Sequence, residues 1–176
     1  PGSTFKLPVI MAALEEGIID TGDIVDTGSG SVKFYNKIIR DTKEDGYGRL
    51  TVKQVFEKSS NVGTAKLITG LYGDRPKDFV NRLCAMKLNE KLDIQIRGEG
   101  EPLIRYPGDK LWSGISLPMM SHGYEVQMTP LQILTFYNAV ANNGKMMKPR
   151  FVIAITRNGT VLRRFNPDVL VNSIAS

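Results

Sequence analysis

Pro1-Gly2-Ser3-Thr4-Phe5-Lys6 opens an apolar run that continues to Leu14. From Phe5 to Leu14 the only charged side chain is Lys6; the others are Phe, Leu, Pro, Val, Ile, Met and Ala. A helix that is apolar on every side is a buried helix. The run therefore predicts a core helix ending near Gly17, with a lysine held in a poor solvent. Desolvation disfavours the ammonium and lowers its pKa, which turns a lysine into a usable base. Residues three apart share a helix face, so Lys6 is placed beside the Ser3 hydroxyl. Serine is a weak nucleophile until a neighbour takes its proton. Gly2 and Ser3 fall where the helix starts, where unpaired N–H groups and the dipole favour negative charge. That suits an oxyanion formed by attack on a carbonyl. Ser-x-x-Lys alone is a weak signal, since a chain of this length holds roughly one match by chance. On these six residues a helix N-cap serine with a solvated lysine one turn later reads as well; the apolar neighbours of Lys6 weigh against it.

A second motif stands at Ser59-Ser60-Asn61. Upstream, Thr51-Val52-Lys53-Gln54 reads as a capping box, with Thr at the N-cap and Gln at N3, and a helix follows through Glu57. A helical pattern resumes from Val62 to Leu71. Ser and Asn compete for backbone hydrogen bonds, so a cluster of them inside such a pattern marks a break or a new N-cap. The triplet is thus a helix–helix junction. Such a turn can also present Ser59 and Asn61 on one side with Ser60 facing away.

Together these stretches resemble the first two motifs of the penicillin-binding transpeptidases, whose Ser-x-x-Lys signature has a known role in acyl transfer. A third stretch agrees: Gly123-Tyr124-Glu125-Val126-Gln127-Met128-Thr129-Pro130-Leu131-Gln132, then Ala139-Val140-Ala141-Asn142-Asn143-Gly144. It is similar to the Gly-Tyr-Gly-x-x-x-Thr-Pro-Leu-Gln and Ala-Asn-x-Gly pattern of class B members, with Glu125 in place of the second glycine. The Ser-Ser-Asn-Val-Gly wording at 59–63 resembles the division-type branch. The resemblance implies an α+β, mostly helical piece of the β-lactamase/transpeptidase-like fold. It implies Ser3 as the acylated nucleophile, Lys6 as its base, Ser59 as the proton relay and Asn61 as holder of the substrate amide. The implied reaction is D,D-transpeptidation of peptidoglycan stem peptides, with β-lactams entering as mimics of D-Ala-D-Ala. No cofactor or metal is implied, and division proteins are partners by way of the parent protein.

One departure is large. The third family motif, Lys-Thr-Gly or Lys-Ser-Gly, does not occur in these 176 residues. The chain also starts two residues before the implied nucleophile. Residues 1–176 are therefore expected to be a partial transpeptidase domain: the Ser-x-x-Lys helix, a helical subdomain and the start of a C-terminal part, with most of the central sheet missing. The expected consequences are an inactive fragment, an apolar face of the first helix left uncovered from Phe5 through Met11 and Leu14, and self-association. The parent would be membrane-anchored with its catalytic part in the periplasm or extracytoplasmic space, and the fragment soluble.

Composition fits a globular chain, 41% hydrophobic and 23% charged, with a length that suits one domain. The formal net charge is +5. Lys145, Lys148, Arg150, Arg163 and Arg164 could form a basic patch, but they read as a solvated surface rather than a nucleic-acid site. Cys84 is the only cysteine and sits in a helical pattern, where a buried structural thiol is expected. His122, the only histidine, argues against a Ser-His-Asp triad or a His-rich metal site and reads as a loop residue.

Elsewhere, Val32–Tyr35 and Lys37–Arg40 form a hairpin pattern about Asn36, and Pro76 starts a helix to about Lys87. Leu88–Leu117 has no sustained period; a short strand is expected at Leu92–Ile96. Thr129-Pro130-Leu131-Gln132 combines a capping box with Pro at N1, with Gly144 beyond the far end. Arg150–Ile155 and Thr160–Phe165 flank Asn158-Gly159, a two-residue hairpin signal. Two other functions stay open. One is a serine β-lactamase, for which Glu101-Pro102-Leu103-Ile104-Arg105 is a passing likeness of a deacylating motif without its Asn. The other is a non-catalytic penicillin sensor or interaction domain.

Overall fold

A computed structural model describes residues 1–175. Gly2–Phe5 form a 3₁₀ turn that runs directly into α1, Lys6–Leu14. Pro8 has no N–H to give the Thr4 carbonyl four residues back. The Tyr137 hydroxyl donates to that carbonyl instead, at 3.0 Å. α1 is buried all round, as its composition requires: Val9, Ile10, Ala12 and Ala13 are core residues, and Leu7, Met11 and Leu14 pack half-buried against them. The apolar face expected to lie uncovered is instead largely packed: Phe5 is 1% exposed, Met11 and Leu14 are half-buried against the core, and α2 (Val52–Glu57), α3 (Asn61–Tyr72) and α4 (Pro76–Ala85) pack on α1.

α3 is the hub. It touches α1, α2, α4 and α5 (Ser116–Met120), and two of the small sheets. It crosses α2 closely: a Cβ at Gly63 would lie 2.7 Å from a methyl of Val55, so the contact at the first turn of α3 depends on having no side chain there. The Tyr72 hydroxyl at its far end shares its single proton between Ala12 O at 2.7 Å and Glu16 Oε1 at 3.1 Å. Glu16 also pairs with Arg75 at 3.0 Å and Arg82 at 3.2 Å. Burial pushes its carboxyl up, but the Tyr72 and Arg82 hydrogen bonds and the two arginine charges outweigh this and hold it below the usual range. This cluster ties the end of α1 to α3 and α4.

The strands pair only two by two among the described residues, all antiparallel. β1 (Ile24–Asp26) pairs with β4 (Arg49–Thr51), and β2 (Ser31–Phe34) with β3 (Lys37–Arg40). β5 (Leu103–Ile104) pairs with β6 (Val126–Gln127), β7 (Met146–Met147) with β10 (Val169–Val171), and β8 (Ala154–Arg157) with β9 (Thr160–Arg164). α6, Pro130–Ala141, carries the expected capping box: Gln132 N donates to Thr129 Oγ1, and Gln132 Oε1 accepts from Thr129 N. The result is an α+β fold with more helix than strand. The strand expected at Leu92–Ile96 does not form. Asp93 takes a left-handed φ of 51°, and the amides of Leu92 and Ile94 donate to the Glu99 carboxylate instead of a neighbouring strand. The last hairpin is shorter than read, starting at Ala154. No helix of the described residues is long and apolar enough to cross a membrane.

Candidate active site

The junction between α2 and α3 is built from backbone bonds first. Ser60 N donates to Val55 O and Ser59 N to Phe56 O, both at 3.0 Å. That paired closure ends a helix with one left-handed residue, a position that favours glycine. Here Ser59 occupies it, at φ 54°. A side chain pays about 1–3 kcal/mol for such a conformation, and at this site it turns both polar atoms of Ser59 toward Lys6. Ser60 then caps α3: its hydroxyl accepts from Gly63 N at 2.8 Å and donates to the Asp41 carboxylate at 2.9 Å. Ser60 therefore does face away from Ser59, into a structural role. Asp41, delivered by the end of β3, also accepts from Val62 N at 3.0 Å.

Lys6 stands at the centre. It is 1% exposed, and its Nζ donates to Ser59 O at 2.5 Å, Asn61 Oδ1 at 2.6 Å, Ser59 Oγ at 2.9 Å and Ser3 Oγ at 3.2 Å. An ammonium has three protons, so the four acceptors share them, and the longest contact is the one to Ser3. Burial strips water from the amine and pulls its pKa down from 10.5 to about 8; the Asp41 charge pulls partly back. Ser3 itself is exposed, where a substrate can reach it. Asn61 Nδ2 donates to Arg40 O at 2.9 Å, which fixes the amide so that Oδ1 faces the lysine and leaves a second N–H. The structure thus brings Ser3, Lys6, Ser59 and Asn61 together from the first turn and the α2–α3 junction.

One expectation fails. Gly2 N donates to Gly123 O at 3.1 Å, so of the two amides considered for an oxyanion, Gly2's is already engaged. The two backbones touch: a Cβ on Gly123, at φ 86°, would sit 2.0 Å from Gly2 O. Only glycine fits there, and the Gly123 turn forms the floor beneath the serine. His122 beside it lies in a turn, as read, yet is buried; its Nδ1 lies 2.9 Å from Pro118 O. Burial lowers its pKa, the Pro118 bond raises it and the Lys6 charge lowers it again, with a net fall. Sequence reading missed Asp41 and Tyr137 as supports of the site. Neither carries a local signal, because only the chain path brings β3 and α6 to the serine.

The remaining candidates stay outside the site. Cys84 is half-buried rather than buried, and burial raises its pKa. Lys148, Arg150, Arg163 and Arg164 gather round one shallow cavity with Asp168, while Lys145 lines its neighbour. Among the described residues no cluster of His, Cys, Asp and Glu could hold a metal ion.

The family described as the penicillin binding protein transpeptidase domain matches residues 1–174. Penicillin-binding protein PbpB of Mycolicibacterium smegmatis is 31% identical over 169 residues, covering 96% of this chain and 25% of that protein. Peptidoglycan D,D-transpeptidase FtsI of Escherichia coli K12 is 31% identical over 144 residues, 82% of this chain and 23% of the relative. Penicillin-binding protein 3 of Mycobacterium tuberculosis, solved with aztreonam, superimposes with a TM-score of 0.75 at 29% identity, over 99% of this chain and 38% of that one. The chain spans about a quarter of the length of the curated relatives it matches. With a family match along nearly its whole length, and a serine, a buried lysine and a Ser-x-Asn turn meeting at one point, the chain belongs to the penicillin-binding protein transpeptidase domain family.

Proposed function

We propose that these residues form the acylation centre of a peptidoglycan D,D-transpeptidase that works in cell division, on stem peptides outside the cytoplasmic membrane. The observation that carries the reading is the fully buried Lys6 amine, in reach of both Ser3 Oγ and Ser59 Oγ. At neutral pH a base with a pKa about 8 is unprotonated in roughly a tenth of molecules. In that state it keeps N–H bonds to Ser59 O and Asn61 Oδ1 and turns its lone pair to Ser3. Ser3 Oγ adds to the penultimate D-Ala carbonyl as its proton passes to Lys6 Nζ. The proton moves through Ser59 Oγ to the departing D-Ala nitrogen as the C–N bond breaks, leaving an ester on Ser3. The amine of a second stem then attacks the ester, and its proton returns by the same route to Ser3 Oγ as the C–O bond breaks. The second N–H of Asn61 holds the amide of the bound stem. The division assignment leans on the Ser59-Ser60-Asn61-Val62-Gly63 wording and on the PbpB and FtsI relatives.

β-Lactams open by the same attack and stay as an ester. Labelling with a fluorescent penicillin therefore tests the reading in the protein that carries this chain. A stable adduct on the peptide holding Ser3, abolished by Ser3→Ala, is the expected result. Rapid release would point to a β-lactamase, absence of any adduct to a non-catalytic domain, and undiminished labelling of Ser3→Ala would remove Ser3 as nucleophile.

A further inference from the structure

Glu125 takes a left-handed φ of 55°, a conformation that L side chains avoid and glycine adopts freely. The residue lies in the short stretch from Gly123 to β6, and what precedes it is the floor of the site: Gly123 O accepts from Gly2 N, and Gly123 Cα lies against the Gly2 backbone. Something must hold a glutamate in that shape. The strand register supplies it. Leu103 faces Gln127 and Ile104 faces Val126, so the next antiparallel pair is Arg105 and Glu125. Arg105 Nη1 donates to Glu125 Oε2 at 3.1 Å and to Leu111 O at 3.2 Å, and both side chains are largely buried. Arg105 Nε is buried with no partner among the described residues, while Nη1 makes the contact to Glu125.

We propose that Arg105 and Glu125 are positioning residues for the nucleophile. Their ion pair clamps the Gly123–Glu125 turn in the shape that seats Gly2, and through Gly2 it sets where Ser3 Oγ stands relative to Lys6. Neither residue touches the reacting atoms. The pair replaces, by charge, the conformational freedom a glycine would give at 125. The activity part of this inference rests on the function proposed above; the structural part does not.

The test uses Glu125→Ala, Arg105→Ala, Glu125→Gly and the Arg105→Ala, Glu125→Gly double variant in the protein that carries this chain. Two readouts are needed: the saturating rate of Ser3 acylation by a fluorescent penicillin with its half-saturating concentration, and hydrogen-exchange protection of the Gly2 amide. Misplacing a reacting group by about 1 Å costs about 10² in rate, so a loosened turn is expected to cost roughly tenfold. Glu125→Ala and Arg105→Ala should each slow the saturating rate by that factor, leave the half-saturating concentration near its starting value, and lower Gly2 protection. Glu125→Gly should restore both readouts, and adding Arg105→Ala to it should change little. Unchanged rate and protection in Glu125→Ala and Arg105→Ala would overturn the proposal, as would a Glu125→Gly variant as impaired as Glu125→Ala. If even the unaltered protein takes no penicillin, the functional reading fails, and Gly2 protection across the same variants still decides whether the clamp exists.

Discussion

Ser59 and Lys6 show how the site concentrates cost at single residues. Lys6 binds a proton less readily in the folded chain, at about 8 against 10.5 when solvated. Between those two pH values the unfolded chain holds a proton that the folded chain has released, so stability rises with pH across that window. Below pH 8 both states are protonated and the full burial penalty remains. Relative to Lys6→Met, the protein should therefore gain melting temperature from pH 8 to about 10.5; a pH-independent difference between the two would contradict the buried, charged-below-8 lysine. Acylation should follow the neutral amine, rising about tenfold per pH unit up to pH 8 and levelling above it. Lys6→Ala should suppress acylation, and any gain in stability is limited because Ser59 O and Asn61 Oδ1 lose their donor. Ser59 gives a paired comparison. Both Ser59→Gly and Ser59→Ala remove the hydroxyl proposed as the relay, but only glycine relieves the left-handed φ. Ser59→Gly should be more stable than Ser59→Ala by about 1 kcal/mol in chemical denaturation, with neither turning over substrate. Equal stabilities would show that the junction is unstrained.

At the level of elements, the first turn is held from two sides, by Gly123 below and by Tyr137 of α6 at the Thr4 carbonyl that Pro8 cannot reach. Tyr137→Phe removes one hydrogen bond and should cost about 1 kcal/mol, with the loss read as faster hydrogen exchange in residues 2–6. No change there would mean that water replaces the hydroxyl. This contact also marks the limit of what sequence can say. The Thr51 and Thr129 capping boxes, the Asn158-Gly159 turn and the apolar run of α1 carry their instructions within a few residues, and each forms where the pattern places it. Ser3, Lys6, Ser59 and Asn61 were legible because two short motifs carry them, and the structure brings all four together. β1 and β4, and β7 and β10, were not. Each strand has two or three residues and pairs across a long stretch of chain, so neither has a local period to betray it. Asp41 and Tyr137 were hidden for the same reason. Leu92–Ile96 misled because its apolar alternation is real, but Asp93 turns left-handed and the Glu99 carboxylate takes the amides a strand would have shared.

For the whole molecule, burial is uneven. The helices around α3 enclose the core, whereas the β8–β9 hairpin is open on both faces: Ile153, Ile155, Val161 and Leu162 are exposed, Leu162 to 61%. Leu134 and Phe151 lie open too, on the walls of the neighbouring groove. A two-stranded ribbon is marginal in water by itself, and exposed apolar groups on one region favour contact with another surface. We propose that polypeptide 1–176, taken alone, covers this region with a second copy, so that self-association runs through the exposed hairpin and not through the first helix, where Phe5 of the turn before α1 is buried and Met11 and Leu14 are already half-buried against the core. Light scattering should report a mass above that of the 19.5 kDa monomer, and Ile153→Lys with Leu162→Lys should return it to monomer. The same polypeptide should acylate slowly. It carries Ser3, Lys6 and Ser59 but no Lys-Ser-Gly or Lys-Thr-Gly, the motif that in the family it resembles lies on a strand helping to form the oxyanion hole, and losing one oxyanion donor typically costs about 10²–10³ in rate. The two effects separate in the charged double variant, which should become monomeric without gaining acylation. A variant that regains fast penicillin labelling once dispersed would show instead that association blocks an otherwise sufficient site.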